Sequence, residues 1–203
     1  MGFEPESDTL RLGGLADGSS SGATLEYDRL VVAPGLELNW GAIEGLAETL
    51  GTNGVTSNYT YDCCQYTAQL VREMKPNRRV VFTQPPMPIK CAGAPQKALY
   101  LSASTWETAG LLPSLDLAFY SSTPVLFGVA DFVPTLMSYM HRYGASLHFQ
   151  HTLVKVDGTL RVATFKTADG ATVETPFDML HGERGSPPSP LWSCTSLHPN
   201  FWP

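Results

Sequence analysis

The sequence predicts an α/β fold: a parallel sheet with covering helices, plus antiparallel strands. Three observations carry this. From Arg79 to about Gln150, apolar strand-like runs alternate with helix-like ones in the order strand, helix, strand, helix, strand, and that alternation builds parallel sheets. Beyond it, short alternating runs follow one another with no helix between them and turn at Asp169-Gly170, which reads as antiparallel pairing. The chain has 203 residues, of which 43% are hydrophobic, enough for one good core or for one domain plus part of a second.

The elements follow in order. Thr9 to Leu12 alternates polar and apolar, as a short strand does, and Ala16 to Gly22 is a turn or loop. Ala23 to Gly35 runs from an alternating strand into a buried apolar one and stops at Pro34-Gly35. Tyr61 to Met74 fits a helix with Ala68, Leu70, Val71 and Met74 as its apolar positions, and Arg79 to Phe82 fits a short apolar strand. Gln96 to about Ala109 reads as a helix and Leu115 to Tyr120 as a strand. Val129 to Tyr143 is helical, with Gly144 as a natural C-terminal cap. Leu147 to Asp157, Leu160 to Lys166 and Ala171 to Thr175 are strands. A weak internal echo pairs Asp17-Gly18, a short strand and "YDRL" with Asp169-Gly170, a short strand and "FDML", as two related units in tandem would. Residues 182–203 have no period and contain five prolines.

Charge and composition exclude several classes. A net charge of −6 and a pI of about 5.3 argue against nucleic acid as the main partner. The one basic concentration, Lys75 to Arg79, reads as a solvated turn before a strand. No apolar run approaches the length of a membrane span, and Met1 is followed by polar, acidic "GFEPESD", so the expectation is a soluble, intracellular chain without a signal peptide. The cysteines are Cys63, Cys64, Cys91 and Cys194, with no zinc spacing and no disulfide framework. Neither G-x-G-x-x-G nor a P-loop occurs.

Cys91 is the residue whose surroundings raise the question of chemistry. It follows a loop containing Pro85, Pro86 and Pro88 and precedes a helix. A thiol there gains from backbone NH groups and the helix dipole, which favour thiolate. Lys90 and Lys97 add positive potential, and Pro95 suits the first helical turn. The other reading is a buried, inert cysteine. Cys63-Cys64 reads as a structural pair on a helix, facing apart. His148 and His151 read as surface or packing residues, and no Ser/His/Asp order stands out. Ala33-Pro34-Gly35 ends a strand with small residues, which either lets a flat ligand approach closely or makes a plain turn.

"YDRLVVAPGLELNW" followed by "VVFTQPPMPIKCAGAPQKALYL" closely resembles the sulfide:quinone oxidoreductases, over roughly Phe3 to His181. "KCAGAPQK" is specific to these enzymes and their near relatives, whereas "YDxLVVAPG" marks the wider two-dinucleotide-binding-domain flavoprotein superfamily. "PVLFGV" (Pro124 to Val129) and "FDMLH" (Phe177 to His181) sit where the family has similar stretches. The resemblance implies a Rossmann-like FAD/NAD(P)-binding fold and FAD as cofactor, with sulfide and quinone as partners. It also implies a location on a membrane surface, the bacterial inner membrane or the mitochondrion. Cys91 matches the redox cysteine beside the flavin, which in the family bridges to a second cysteine much later in the chain. Sulfide attacks the bridge and leaves a persulfide. Ala33, Pro34 and Gly35 match the strand end that packs on FAD, and Pro85 and Pro86 would lie near its ring.

The family pattern has a glycine-rich strand-loop-helix before this match, and a partner cysteine and amphipathic anchor after it. The expectation is therefore a central fragment, incomplete at both ends. Residues 1–60 would be the remainder of an FAD-binding domain, 61–181 a second Rossmann domain carrying Cys91, and 182–203 an irregular tail, possibly out of frame. Cys194 is not expected to be the partner cysteine. The alternative is a truncated, non-catalytic flavoprotein remnant or interaction module of the same fold. A related thiol-flavin enzyme, such as a persulfide or coenzyme A disulfide reductase, ranks last. A sheet lacking central strands would expose apolar Leu25 to Val32, which predicts poor solubility.

Overall fold

The computed structural model describes residues 2–11, 23–31, 33, 38–89 and 91–183, with 2–5 and 11 described by backbone alone. The chain divides into two compact units at the 35/36 junction. In the first, β1 (Gly2–Glu4), β2 (Thr9–Arg11) and β3 (Thr24–Glu26) form an antiparallel sheet in the order β1-β2-β3. Of the buried strand expected after Glu26, the described residues Leu30 and Val31 lie outside any strand. β3 stops at Glu26, Leu25 on it is 49% exposed, and Val31 lies outside any strand and is 90% exposed. Apolar residues alone do not bury a segment that has no partner strand to pair with. The Ala16 to Gly22 turn lies outside the described residues.

The second unit holds the alternation. Its elements are α1 (Leu46–Thr49), β4 (Val55–Thr56), α2 (Tyr61–Glu73), β5 (Arg79–Gln84), α3 (Ala94–Thr108), β6 (Asp116–Ser121), α4 (Val133–Arg142) and β7 (Ser146–Phe149). β8 (His151–Asp157), β9 (Val162–Thr167), β10 (Thr172–Pro176) and β11 (Met179–His181) follow. The five-stranded sheet runs β4-β11-β5-β6-β7 with every neighbouring pair parallel, and β10-β9-β8 form a separate antiparallel sheet.

Successive side chains on a strand point to opposite faces, so the continuous apolar runs of β5 and β6 supply two cores at once. Val80, Phe82, Leu117, Phe119 and Met179 pack with Leu99, Trp106 and Met140 of the helices. Val81, Ala118, Tyr120 and Leu180 pack with Leu153, Val156, Ala163 and Phe165 of the antiparallel sheet. The result is three layers: helices, parallel sheet, antiparallel sheet.

Two differences from the sequence reading bear on the site. The run from Leu147 to Asp157 is not one strand, because Gln150 takes φ 57° and splits it into β7 of the parallel sheet and β8 of the antiparallel one. And "FDMLH" contains a strand, β11, threaded between β4 and β5 with Met179 opposite Val80 and His181 opposite Phe82 and Thr56.

Gly54 enters the short edge strand at φ 85°, and a Cβ there would stand 2.3 Å from the Asp178 carbonyl oxygen, where β11 begins. Its N–H donates to the Tyr66 hydroxyl and its carbonyl accepts from Leu180. Both backbone conformation and space therefore demand glycine. Gly54→Ala is expected to cost about 3 kcal/mol or more, through strain plus displacement of the β4–β11 pairing. An unchanged midpoint in urea denaturation would show that the pairing is not as described.

Candidate functional site

All five strands of the parallel sheet point the same way, so the ends of β4, β11, β5 and β6 share one edge. Ligands of open parallel sheets bind at that edge. The segments leaving it are 57–60 after β4, 182–183 after β11, and 85–93 after β5. The last of these carries Cys91.

Cys91 is exposed and its thiol is free, which removes the reading of a buried, inert sulfur. It stands two residues ahead of Gly93, the N-cap of α3, with Pro95 in the first helical turn. The Cys91 carbonyl accepts the Ala94 N–H at 3.1 Å and the Tyr59 hydroxyl at 2.8 Å. Thus the cysteine's backbone is tied to both α3 and the β4–α2 loop while its sulfur stays open to reagents. Two further residues of the motif are scaffold. Pro95 and Gln96 are buried, and the Gln96 side-chain amide donates to the Leu126 carbonyl at 2.6 Å, bracing the loop after β6 against the start of α3. A buried amide with its partner in place fixes a loop far better than a loose contact does.

Of the cofactor candidates, Pro85 is buried while Pro86 and Met87 are exposed, Met87 at 61%. Ala33 is exposed at the end of the described part of the first unit, and Pro34, Gly35 and Lys90 lie outside the described residues. Cys63 is buried and Cys64 exposed, its thiol donating to the Thr60 carbonyl at 3.2 Å, so the pair faces apart as helix geometry requires. Cys194 lies outside the described residues. His148 and Phe165 stack on Tyr120, with ring centroids 4.2 and 4.0 Å away, and burial holds the His148 pKa below its ordinary value. Both it and His151 are packing residues around Tyr120.

Sequence reasoning missed a polar cluster behind Cys91. His181, at the end of β11, is fully buried, and its Nε2 accepts the Asn58 N–H at 3.1 Å. The neutral ring therefore carries its proton on Nδ1, which stands 3.7 Å from Glu183 Oε1. Glu183 is 2% exposed and neither carboxyl oxygen has a hydrogen-bond partner. Burial pushes Glu183 up to about 9 and His181 down to about 4, so both are neutral at pH 7. Tyr59 is pushed above its ordinary value, first by burial and then by Glu183 and Cys91. No local signal marks these residues, because only the insertion of β11 beside β4 and β5 brings them together.

Among the described residues no group of three or more His, Cys, Asp or Glu is placed to hold a metal ion. No helix among them is long and apolar enough to cross a membrane.

No protein-family model matches the chain. Two solved structures show the same fold. A chain in the mitochondrial ATP synthase assembly of Tetrahymena thermophila matches with TM-score 0.73 and 17% identity, over 98% of this chain and 48% of that one. The sulfide:quinone oxidoreductase of Aquifex aeolicus matches with TM-score 0.65 and 19% identity, over 90% and 40%. At the level of sequence, the mitochondrial sulfide:quinone oxidoreductase of Dictyostelium discoideum is 38% identical over 180 residues. Those residues make up 88% of this chain and 38% of that relative's length. The chain is thus a homologue of the sulfide:quinone oxidoreductases, through a segment spanning a little over a third of the relative's length.

Proposed function

We propose that the chain carries the sulfur-reacting part of a flavin-dependent sulfide:quinone oxidoreductase, with Cys91 as the reacting thiol. One observation carries this reading: in a homologue of those enzymes, the cysteine of "KCAGAPQK" is exposed and free at the carboxyl edge of the parallel sheet. In the oxidised protein Cys91 is joined to a second cysteine. Hydrosulfide attacks one sulfur of that bridge. A new S–S bond forms to the incoming sulfur, the old S–S bond breaks, and its electron pair leaves on the other cysteine as thiolate.

FAD, when bound, supplies the two-electron sink that links this thiolate to a quinone. Pro86 and Met87 are exposed apolar surface on the Cys91 loop, the chemistry that packs on a flat ring. Pro85 is buried and would support the loop. Ala33, Pro34 and Gly35 are proposed as flavin-contacting residues on the family resemblance alone. The chain's own contribution is to hold the Cys91 backbone through Tyr59 and Ala94 while leaving the thiol free. In keeping with the family, the proposed setting is a membrane surface, where quinone is available.

The test is to put residues 38–183 in the corresponding place of a full-length sulfide:quinone oxidoreductase, which supplies the flavin-binding loop and second cysteine of the family pattern, and to follow flavin retention and sulfide-dependent reduction of a water-soluble ubiquinone analogue. Retained flavin with sulfide-dependent reduction is the expected result. Failure to retain flavin, with no sulfide-dependent reduction, would overturn the reading and leave a non-catalytic module of the same fold.

A further inference from the structure

We propose that Glu183 is a positioning residue for the Cys91 loop: through Tyr59, its buried carboxyl sets whether the Cys91 carbonyl is held or released. Its importance for catalysis rests on the reading of Cys91 as the reacting thiol, but the coupling itself exists without flavin or sulfide.

The Glu183 backbone is fixed. Its N–H donates to Thr83 Oγ1 at 3.2 Å, and that hydroxyl donates to the His181 carbonyl at 3.2 Å. Its side chain is not. A buried carboxyl with two unpartnered oxygens is costly, and such groups call for an explanation. The carboxyl lies close enough to the Tyr59 hydroxyl for each group to shift the other, yet neither carboxyl oxygen closes a hydrogen bond of good geometry. Tyr59 has one proton to give and gives it to the Cys91 carbonyl.

While Glu183 is protonated, this arrangement is self-consistent. The carboxyl O–H can donate to the Tyr59 oxygen, which accepts while its own proton stays on Cys91. When Glu183 loses its proton, it becomes a pure acceptor, and a hydrogen bond to a charged acceptor is roughly twice as strong as a neutral one. The single Tyr59 proton then turns to the carboxylate, and the Cys91 carbonyl keeps only Ala94. Two acceptors compete for one proton, and the state of Glu183 decides between them.

The titratable groups facing Glu183 are Tyr59 from the β4–α2 loop, Cys91 from the β5–α3 loop and His181 from β11. β5 and its loop present Thr83, Gln84, Pro85 and Pro86; β8 presents Thr152 and Leu153; Ile43 closes the other side. None of these seven is charged. An ionised Glu183 also repels a Cys91 thiolate. Untying the loop and placing a negative charge beside it act in the same direction: both slow the reaction of Cys91 with an electrophile.

The experiment alkylates the intact chain with iodoacetamide from pH 7 to pH 10. The rate at Cys91 is read by peptide mass spectrometry against exposed Cys64 as internal reference. Glu183→Gln keeps the shape and removes the titration. The expected result is equal relative rates at pH 7, with Cys91 in the variant on the order of fivefold faster than in the parent at pH 9.5. Tyr59→Phe, which removes the tether at every pH, is expected to slow Cys91 at pH 7. If the Glu183→Gln profile tracks the parent throughout, or if Tyr59→Phe leaves Cys91 unchanged at pH 7, the proposal is wrong. Because neither measurement involves sulfide, quinone or flavin, a chain that fails the turnover test still answers this one.

Discussion

Replacing Cys91 by Ser is expected to lower sulfide-dependent quinone reduction on the order of 10³-fold or more, the scale on which removal of a covalent nucleophile acts. A serine hydroxyl cannot form the S–S bond on which the proposed chemistry turns. Flavin content and thermal stability should not follow. The Cys91 side chain is exposed, and the hydrogen bonds that hold the loop are made by its backbone carbonyl, so the substitution should change stability by no more than about 0.5 kcal/mol. Cys64→Ser is the matched control: an exposed thiol in the first turn of α2 whose donor bond to the Thr60 carbonyl a serine can keep. It should retain parental turnover. A loss with Cys64→Ser and none with Cys91→Ser would move the reacting thiol to α2.

The parallel sheet was legible because burial on both faces leaves a strong mark. β5 and β6 are unbroken apolar runs, and each is followed by a helix long enough to show its own period. The elements that escaped notice lack such marks. β4 is two residues long and β11 three, too short to show alternation. β11 reaches its place between β4 and β5 from nearly a hundred residues away, as the pairing of Met179 with Val80 shows. The break at Gln150 depends on one non-glycine residue in the left-handed region, which local composition does not announce. Two expectations met at Val31, burial in a strand and exposure at the edge of an incomplete sheet, and the residue is 90% exposed.

The site divides the same way. Cys91 could be found because its motif is contiguous, and its exposure then settled whether the sulfur is open or packed away. Tyr59, His181 and Glu183 could not be found, because they meet only after a long-range strand insertion. Within the motif, Gln96 shows a further limit. It is as much a part of "KCAGAPQK" as Cys91, yet it is buried and spends its amide on the Leu126 carbonyl. A short motif mixes the residue proposed to react with those that hold it, and only burial and hydrogen bonding separate them.

Trp106→Ala is expected to destabilise the second unit by about 3–5 kcal/mol, the range for removing a large buried aromatic, and more if the polar partner it leaves behind stays unpaired. Trp106 is 1% exposed in the core between the parallel sheet and its helices, with Leu70, Val71 and Met74 of the α2 end packed on the same cluster. Its indole N–H donates to the Val71 carbonyl at 2.9 Å. The last four carbonyls of a helix have no partner within it, and Val71 is among the last four residues of α2, which ends at Glu73. One side chain of α3 thus fills the core and completes the end of α2, the helix that begins just after the Tyr59 loop. Against a typical domain stability of about 5–15 kcal/mol, the loss would leave the sheet edge that carries Cys91 close to unfolding at 37 °C. Trp106→Phe separates the two contributions: it keeps most of the bulk, and abandoning the Val71 carbonyl should cost about 1–3 kcal/mol. Both are read from urea denaturation midpoints. If Phe and Ala cost the same, the indole N–H rather than the packing holds α3 to α2; if Phe costs nothing, the hydrogen bond is incidental and the volume alone matters.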